Sequence, residues 1–228
     1  RASCQPYPVS INTHMQTGTA AVVALGDRHS CMASAGYPTY CWGNNSNGQL
    51  GVASGAQSRP VAVSGGRRFQ QIRAGFDHTC AVTLFDVGFC WGKNRFGELG
   101  ANSTVVFSPT PLRVVGGLSW KRINAGGHHS CGVTTSNLAY CWGNNDGALG
   151  DGTFTDRRKP VPVVGGFKFS LVVAGGGAYL YYRNRRKKAA GKDASSGSYG
   201  PQGAELDPLA SLSVEELRRK SGSLLIEA

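Results

Sequence analysis

The chain has 228 residues, 40% of them apolar and 33 of them glycine, and Lys and Arg outnumber Asp and Glu by 24 to 13. That length and apolar share exclude a low-complexity polymer and allow one or two domains with a proper core. Glycine at about twice its usual share of roughly 7%, set among short apolar runs and Asn/Ser/Asp clusters, predicts an all-β chain of short strands and tight turns.

The basic excess is uneven. Residues 1–177 hold 15 Lys/Arg against 7 Asp/Glu, and residues 178–228 hold 9 against 6, with six of those nine between Arg183 and Lys192. The body lacks clustered basic patches with interleaved aromatics, so nucleic acid is disfavoured as a partner. A start at Arg1, without Met or a charged-then-apolar leader, reads as a fragment or processed product.

In chain order, residues 1–17 contain Pro6-Tyr-Pro-Val-Ser-Ile11. This matches Pro60-Val-Ala-Val63, Pro111-Leu-Arg-Val114 and Pro160-Val-Pro-Val163, which close three full units, so 1–17 reads as the end of a preceding unit. The full units are 18–66, 67–117 and 118–166, and 167–177 begins a fourth. Each carries His-[Ser/Thr]-Cys and, ten residues after that cysteine, Cys-Trp-Gly: Cys41-Trp-Gly, Cys90-Trp-Gly and Cys141-Trp-Gly, recurring after 49 and 51 residues. A fixed period of this size marks stacked supersecondary units, propeller blades among them.

Within a unit the text predicts four strands: one ending at Ala-Gly (Leu25-Gly26 in the first), one holding His-x-Cys, one ending in Cys-Trp-Gly, and a Pro-Val strand. Proline suits that last strand only at a sheet edge, where a ladder donor can be spared. Four short strands per repeat is the content of a propeller blade.

The fourth copy fails at Gly177: Ala178 stands in the histidine's place and Leu180 in the cysteine's. Leu171 to Tyr182 is uncharged, and a basic cluster follows. Twelve residues cannot cross a bilayer, which needs about 20, so a buried strand before a solvated run is expected. Residues 171–188 are the only membrane contact the sequence offers. Residues 178–228 read as a basic, flexible linker, disordered apart from a short helix opened by the capping-box pattern Ser213-Val-Glu-Glu216, outside the repeats.

The cysteines carry the sharpest local prediction. Cys31 and Cys41, Cys80 and Cys90, and Cys131 and Cys141 lie equidistant from hairpin centres at Gly36, Phe85 and Ser136. A facing non-hydrogen-bonded pair brings Cβ atoms near disulfide distance, so three intra-hairpin disulfides are expected, and with them an oxidising compartment. Cys4 is left over. The competing ligand sets His29/Cys31/Cys41, His78/Cys80/Cys90 and His129/Cys131/Cys141 offer three ligands where a closed zinc site wants four, so no metal or cofactor is expected.

The histidines recur with the repeat and are expected to hold loops near blade edges. Trp42, Trp91 and Trp142 should point away from their cysteines, into the space between blades. The connections after them differ between units on a constant frame, so Asn45, Asn47, Lys93, Arg95, Phe96, Asn145 and Asp146 are the candidate partner-binding residues. No nucleophile, carboxylate pair or phosphate loop is legible, so no enzyme activity is expected.

The unit Ala-Gly-x-x-His-[Ser/Thr]-Cys, Cys-Trp-Gly-x-Asn, Gly-x-Leu-Gly and Pro-Val-x-Val resembles the regulator-of-chromosome-condensation repeat, and within it the cysteine-paired version of secreted bacterial proteins. The resemblance covers residues 18–177. It implies a seven-bladed β-propeller when complete, of which this chain supplies about three complete four-stranded blades and fragments of two. It also implies protein binding, with nucleotide exchange or chromatin binding in some members.

The reading is therefore a secreted or extracytoplasmic, non-catalytic scaffold that binds a protein or glycan through variable loops. The alternatives are a propeller hydrolase or lyase whose site lies in missing blades, and a nucleotide-exchange or nucleic-acid-binding propeller. Open blade edges invite self-association.

Overall fold

In the computed structural model, residues 21–166, 168–174 and 178–182 are described. The expected end of a preceding unit, Cys4, the basic cluster and the short helix all lie outside them.

The described chain is a succession of antiparallel sheets. Blade one is β1 (Ala21–Leu25), β2 (His29–Ser34), β3 (Tyr40–Gly43) and β4 (Gln57–Ala62). Blade two is β5 (Phe69–Ala74), β6 (His78–Thr83), β7 (Gly88–Lys93) and β8 (Phe107–Arg113). Blade three is β9 (Trp120–Ala125), β10 (His129–Thr134), β11 (Ala139–Gly143) and β12 (Arg157–Pro162). A two-stranded sheet follows, β13 (Phe169–Ala174) with β14 (Ala178–Tyr182). That pairing carries strand structure five residues past Gly177, where the repeat text ends. Among the described residues no helix is long and apolar enough to cross a membrane.

Strand order in each full sheet is sequential, so the proline-bearing strands β4, β8 and β12 lie at sheet edges. The missing N–H groups of Pro60, Pro111 and Pro160 therefore cost the ladder nothing on the open side. In all three blades the third and fourth strands slip register at the tryptophan, between Cys41 and Gly43, Cys90 and Gly92, and Cys141 and Gly143. Such a bulge re-aims the side chain it carries.

The core lies between sheets. Blade one contributes Cys31, Cys41, Leu50 and Val63, and blade two meets them with Phe69, Ile72 and Trp91. The same arrangement joins Cys80, Cys90, Leu99 and Val114 to Trp120, Ile123 and Trp142. Blades one and two thus turn their disulfides toward the following blade, and blades two and three turn Trp91 and Trp142 toward the preceding one. This is the opposed orientation that strand alternation predicts.

Three disulfides join Cys31 to Cys41, Cys80 to Cys90 and Cys131 to Cys141, with Cα atoms 4.0–4.1 Å apart. Each pair is directly opposed in its ladder. All six sulfurs are bonded to one another, so the His-Cys-Cys sets hold no thiolate for a metal.

Backbones also touch between blades. Asp27 N donates to Gly75 O at 3.3 Å and Phe76 N to Gly126 O at 3.2 Å. A Cβ on Gly26 would stand 2.5 Å from Gly75 O and one on Gly75 2.3 Å from Gly126 O, so both glycines answer to the main chain of the next blade.

Candidate functional site

The repeated polar residues build the seams. His29 Nε2 lies 2.8 Å from Thr79 Oγ1, and Thr79 Oγ1 donates to Gln49 O at 2.8 Å. Trp91 Nε1 donates to the same carbonyl at 2.9 Å. One repeat later, His78 Nε2 lies 2.9 Å from Ser130 Oγ, and Glu98 O accepts from Ser130 Oγ and Trp142 Nε1, both at 2.8 Å. His29 and His78 therefore reach a strand hydroxyl of the next blade. They do not hold a loop near a blade edge, because burial leaves the neighbouring strand as their only source of polar partners.

A hydroxyl has one proton, and Thr79 and Ser130 spend it on a carbonyl. His29 and His78 must then donate from Nε2, leaving Nδ1 bare, buried and without a partner among the described residues. A second proton on Nδ1 would have no acceptor. Burial accordingly lowers His29 to about 4, against the raising influence of Asp77 and Asp27. Burial lowers His78 to about 3, helped by the neighbouring histidines. His129 is lowered by burial and by His128, and its Nε2 has no partner among the described residues.

The connections between third and fourth strands are pinned by a buried asparagine. Asn94 Oδ1 accepts from Leu99 N at 3.1 Å while Nδ2 donates to Val105 O at 2.8 Å and Ser103 O at 3.3 Å. Asn45 repeats this with Leu50 N, Val52 O and Ser54 O, and Asn145 with Leu149 N, Thr153 O and Thr155 O. At 7% and 1% exposed, the candidates Asn45 and Asn145 turn their side chains inward and staple their own loops. A position that is the same in every unit has the same internal duty in each.

The other candidates stay accessible. Arg95 and Asp146 are exposed, and Asn47, Lys93 and Phe96 are half-buried. Lys93 Nζ is 3.6 Å from Asp77 Oδ2. The Arg95 guanidinium lies 5.8 Å over the Phe96 ring.

The structure adds two residues that the loop reasoning missed. Phe76 and His128, from the first turns of blades two and three, meet edge to face at 5.9 Å, and Phe96 lies 5.8 Å from His128. Phe76 is 45% exposed. One end of the blade two/three seam therefore carries an aromatic cluster with a cation above it. The available signal was the pair between Gly and His, which reads Asp27-Arg28, Phe76-Asp77 and Gly127-His128 and varies as freely as the longer connections.

A family model described as the Regulator of chromosome condensation (RCC1) repeat matches residues 39–82 and 89–133, and a second RCC1 repeat model matches 120–147. The chain carries RCC1 repeats over these residues. The Ultraviolet-B receptor UVR8 of Arabidopsis thaliana is 31% identical over 163 residues, 68% of this chain and 37% of that protein. Among solved structures, yeast RCC1 (Prp20) bound to Kap60 superposes with a TM-score of 0.63 at 22% identity, over 72% of this chain and 41% of that one. Human WBSCR16 gives 0.64 at 22% identity, over 74% and 46%. At that identity the two structures establish the fold, an RCC1-type β-propeller arrangement. The chain spans about four tenths of the length of these RCC1 relatives.

Proposed function

We propose that this chain is a non-catalytic, extracytoplasmic scaffold that binds a partner protein through the loop ends of its blades. The binding surface centres on Phe76, Phe96, Arg95 and His128. The observation that carries this reading is the contrast within each repeat. The His, Ser/Thr, Trp and Asn positions are spent on internal joints, and the residues beside them change from blade to blade. Aromatic and arginine side chains supply most of the binding energy at protein interfaces, which favours a protein over a glycan. Three disulfides within 111 residues of chain favour an oxidising compartment. Buried, neutral histidines already bonded to hydroxyls are poor general bases, which supports a binding role.

A photo-crosslinking residue at Arg95, in the full-length protein in its native host, tests the surface. A discrete protein adduct that Phe76→Ala abolishes is expected. Crosslinking no stronger than at exposed Phe154, on blade three, would overturn it. Acid-quenching of intact cells followed by alkylation under denaturing, non-reducing conditions tests the compartment: six protected cysteines are expected, and six alkylated ones would place the chain in a reducing environment.

A further inference from the structure

At the opposite end of the strands, blades two and three have clefts in equivalent places, between the turn joining the second and third strands and the link arriving from the preceding blade. In blade three the cleft is about 240 Å³ and uncharged, walled by Leu118, Ser119, Thr135, Ser136 and Tyr140. In blade two it is about 650 Å³. There the repeat places Arg67 for Leu118, Arg68 for Ser119, Leu84 for Thr135, Phe85 for Ser136 and Phe89 for Tyr140. Arg113 joins them, where the first unit has Ala62 and the third Pro162.

The substitutions are not what stability asks of a turn. Phe85 is 87% exposed and Leu84 48% exposed. The Arg67 guanidinium lies 4.8 Å above the Phe89 ring. All three arginines are exposed, and no carboxylate lines the cleft. Asp86 in the same turn accepts from Gln70 Nε2 at 3.3 Å. Blade two thus combines a widened apolar floor with an uncompensated cationic rim, on a frame where blade three places the small polar Ser119, Thr135 and Ser136.

We propose that this cleft docks an acidic peptide segment of a partner protein. A hydrophobic side chain sits between Phe85 and Phe89, and flanking carboxylates pair with Arg67, Arg68 and Arg113. The volume lies in the range of sites that enclose a few side chains. Guanidinium groups pair bidentately with carboxylates, which gives the rim orientation as well as attraction. A nucleic acid would need phosphate contacts along a basic stripe, whereas here the arginines ring a single concavity. An oligosaccharide would need amide or carboxylate side chains for its hydroxyls, and the lining has none.

Fluorescence anisotropy of full-length protein with labelled acetyl-Glu-Glu-Phe-Glu-Glu-amide tests the proposal. Saturable, salt-sensitive binding is expected, weakened about tenfold or more by Arg67→Ala/Arg113→Ala and, separately, by Phe85→Ser. The Gln-Gln-Phe-Gln-Gln peptide should bind more weakly. Phe76→Ala and Arg95→Ala should leave the affinity unchanged, so this cleft and the aromatic end fail independently. All five side chains are at least partly exposed, and unchanged thermal unfolding confirms folded variants. Absence of saturable binding, equal affinity in the cleft variants, or tighter cleft-dependent binding of a single-stranded oligonucleotide would overturn the proposal.

Discussion

His78 Nε2 stands 2.9 Å from Ser130 Oγ, and Ser130 hands its own proton to Glu98 O, so a histidine of blade two and a hydroxyl of blade three form one joint. Ser130→Ala strands the buried His78 donor and one lone pair of Glu98 O. An unfulfilled buried polar group costs about 1–3 kcal/mol. Urea unfolding should register a loss in that range, while Ser130→Thr, which keeps the hydroxyl and is the residue the repeat has at Thr79, should lose far less. Equal losses would refute the joint.

Acid should loosen both seams. His29 and His78 bind a proton in the unfolded chain near the ordinary histidine value but resist it when folded, down to about 4 and about 3. Stability is therefore full above about pH 6.5 and falls as pH drops, until each folded value is reached. Each unit of depression corresponds to about 1.4 kcal/mol per group. Thermal melts from pH 7 to pH 4 should show this slope, and His29→Gln should flatten part of it. A flat profile would sink the account.

Glu98 points the other way. Its burial raises the carboxyl, and Oε1 has no partner among the described residues while Oε2 accepts from Phe96 N at 2.8 Å. The equivalent Gln49 accepts from Asn47 N at 2.9 Å and donates Nε2 to Asn44 Oδ1, also at 2.9 Å. A raised carboxyl favours the folded state at low pH and works against it once the pH passes its unfolded value. Glu98→Gln should thus stabilise the protein at pH 7, by about 1 kcal/mol, and less at pH 5. Destabilisation at pH 7 would contradict this.

Each disulfide closes a short loop inside one hairpin. Replacing Cys80 and Cys90 together by alanine should cost about 2–3 kcal/mol in the chain-entropy account, with sheet order kept. Denaturant midpoints with and without reductant check this. A reductant shift surviving in a chain with all three pairs replaced would assign it elsewhere.

The parts of the fold that depend on near neighbours in the chain were legible in the text. Ten-residue cysteine spacing forces the facing pairs, proline marks the edge strands, and alternation sends Trp91 away from Cys90. What crosses a seam was not legible. The partner of His29 is fifty residues away, and the repeat disguises it, since His29 and His78 are each followed by a hydroxyl residue of their own while Thr79 and Ser130 serve the previous blade. The same sameness hid the duty of Asn45 and Asn145, whose loop looked variable while the asparagine itself was constant. The arginine-rimmed cleft escaped because Arg67, Phe85 and Arg113 converge from three segments, each unremarkable alone.

The three bridges all lie within sheets, and no bridge among the described residues spans two. Disulfide closure thus stops at the boundary of each described blade, and across a seam only the connecting chain and reversible contacts hold neighbours together. A chain pried apart at one seam retains hairpins in correct register. It can shut again without searching for strand partners, or accept the equivalent face of a sister molecule.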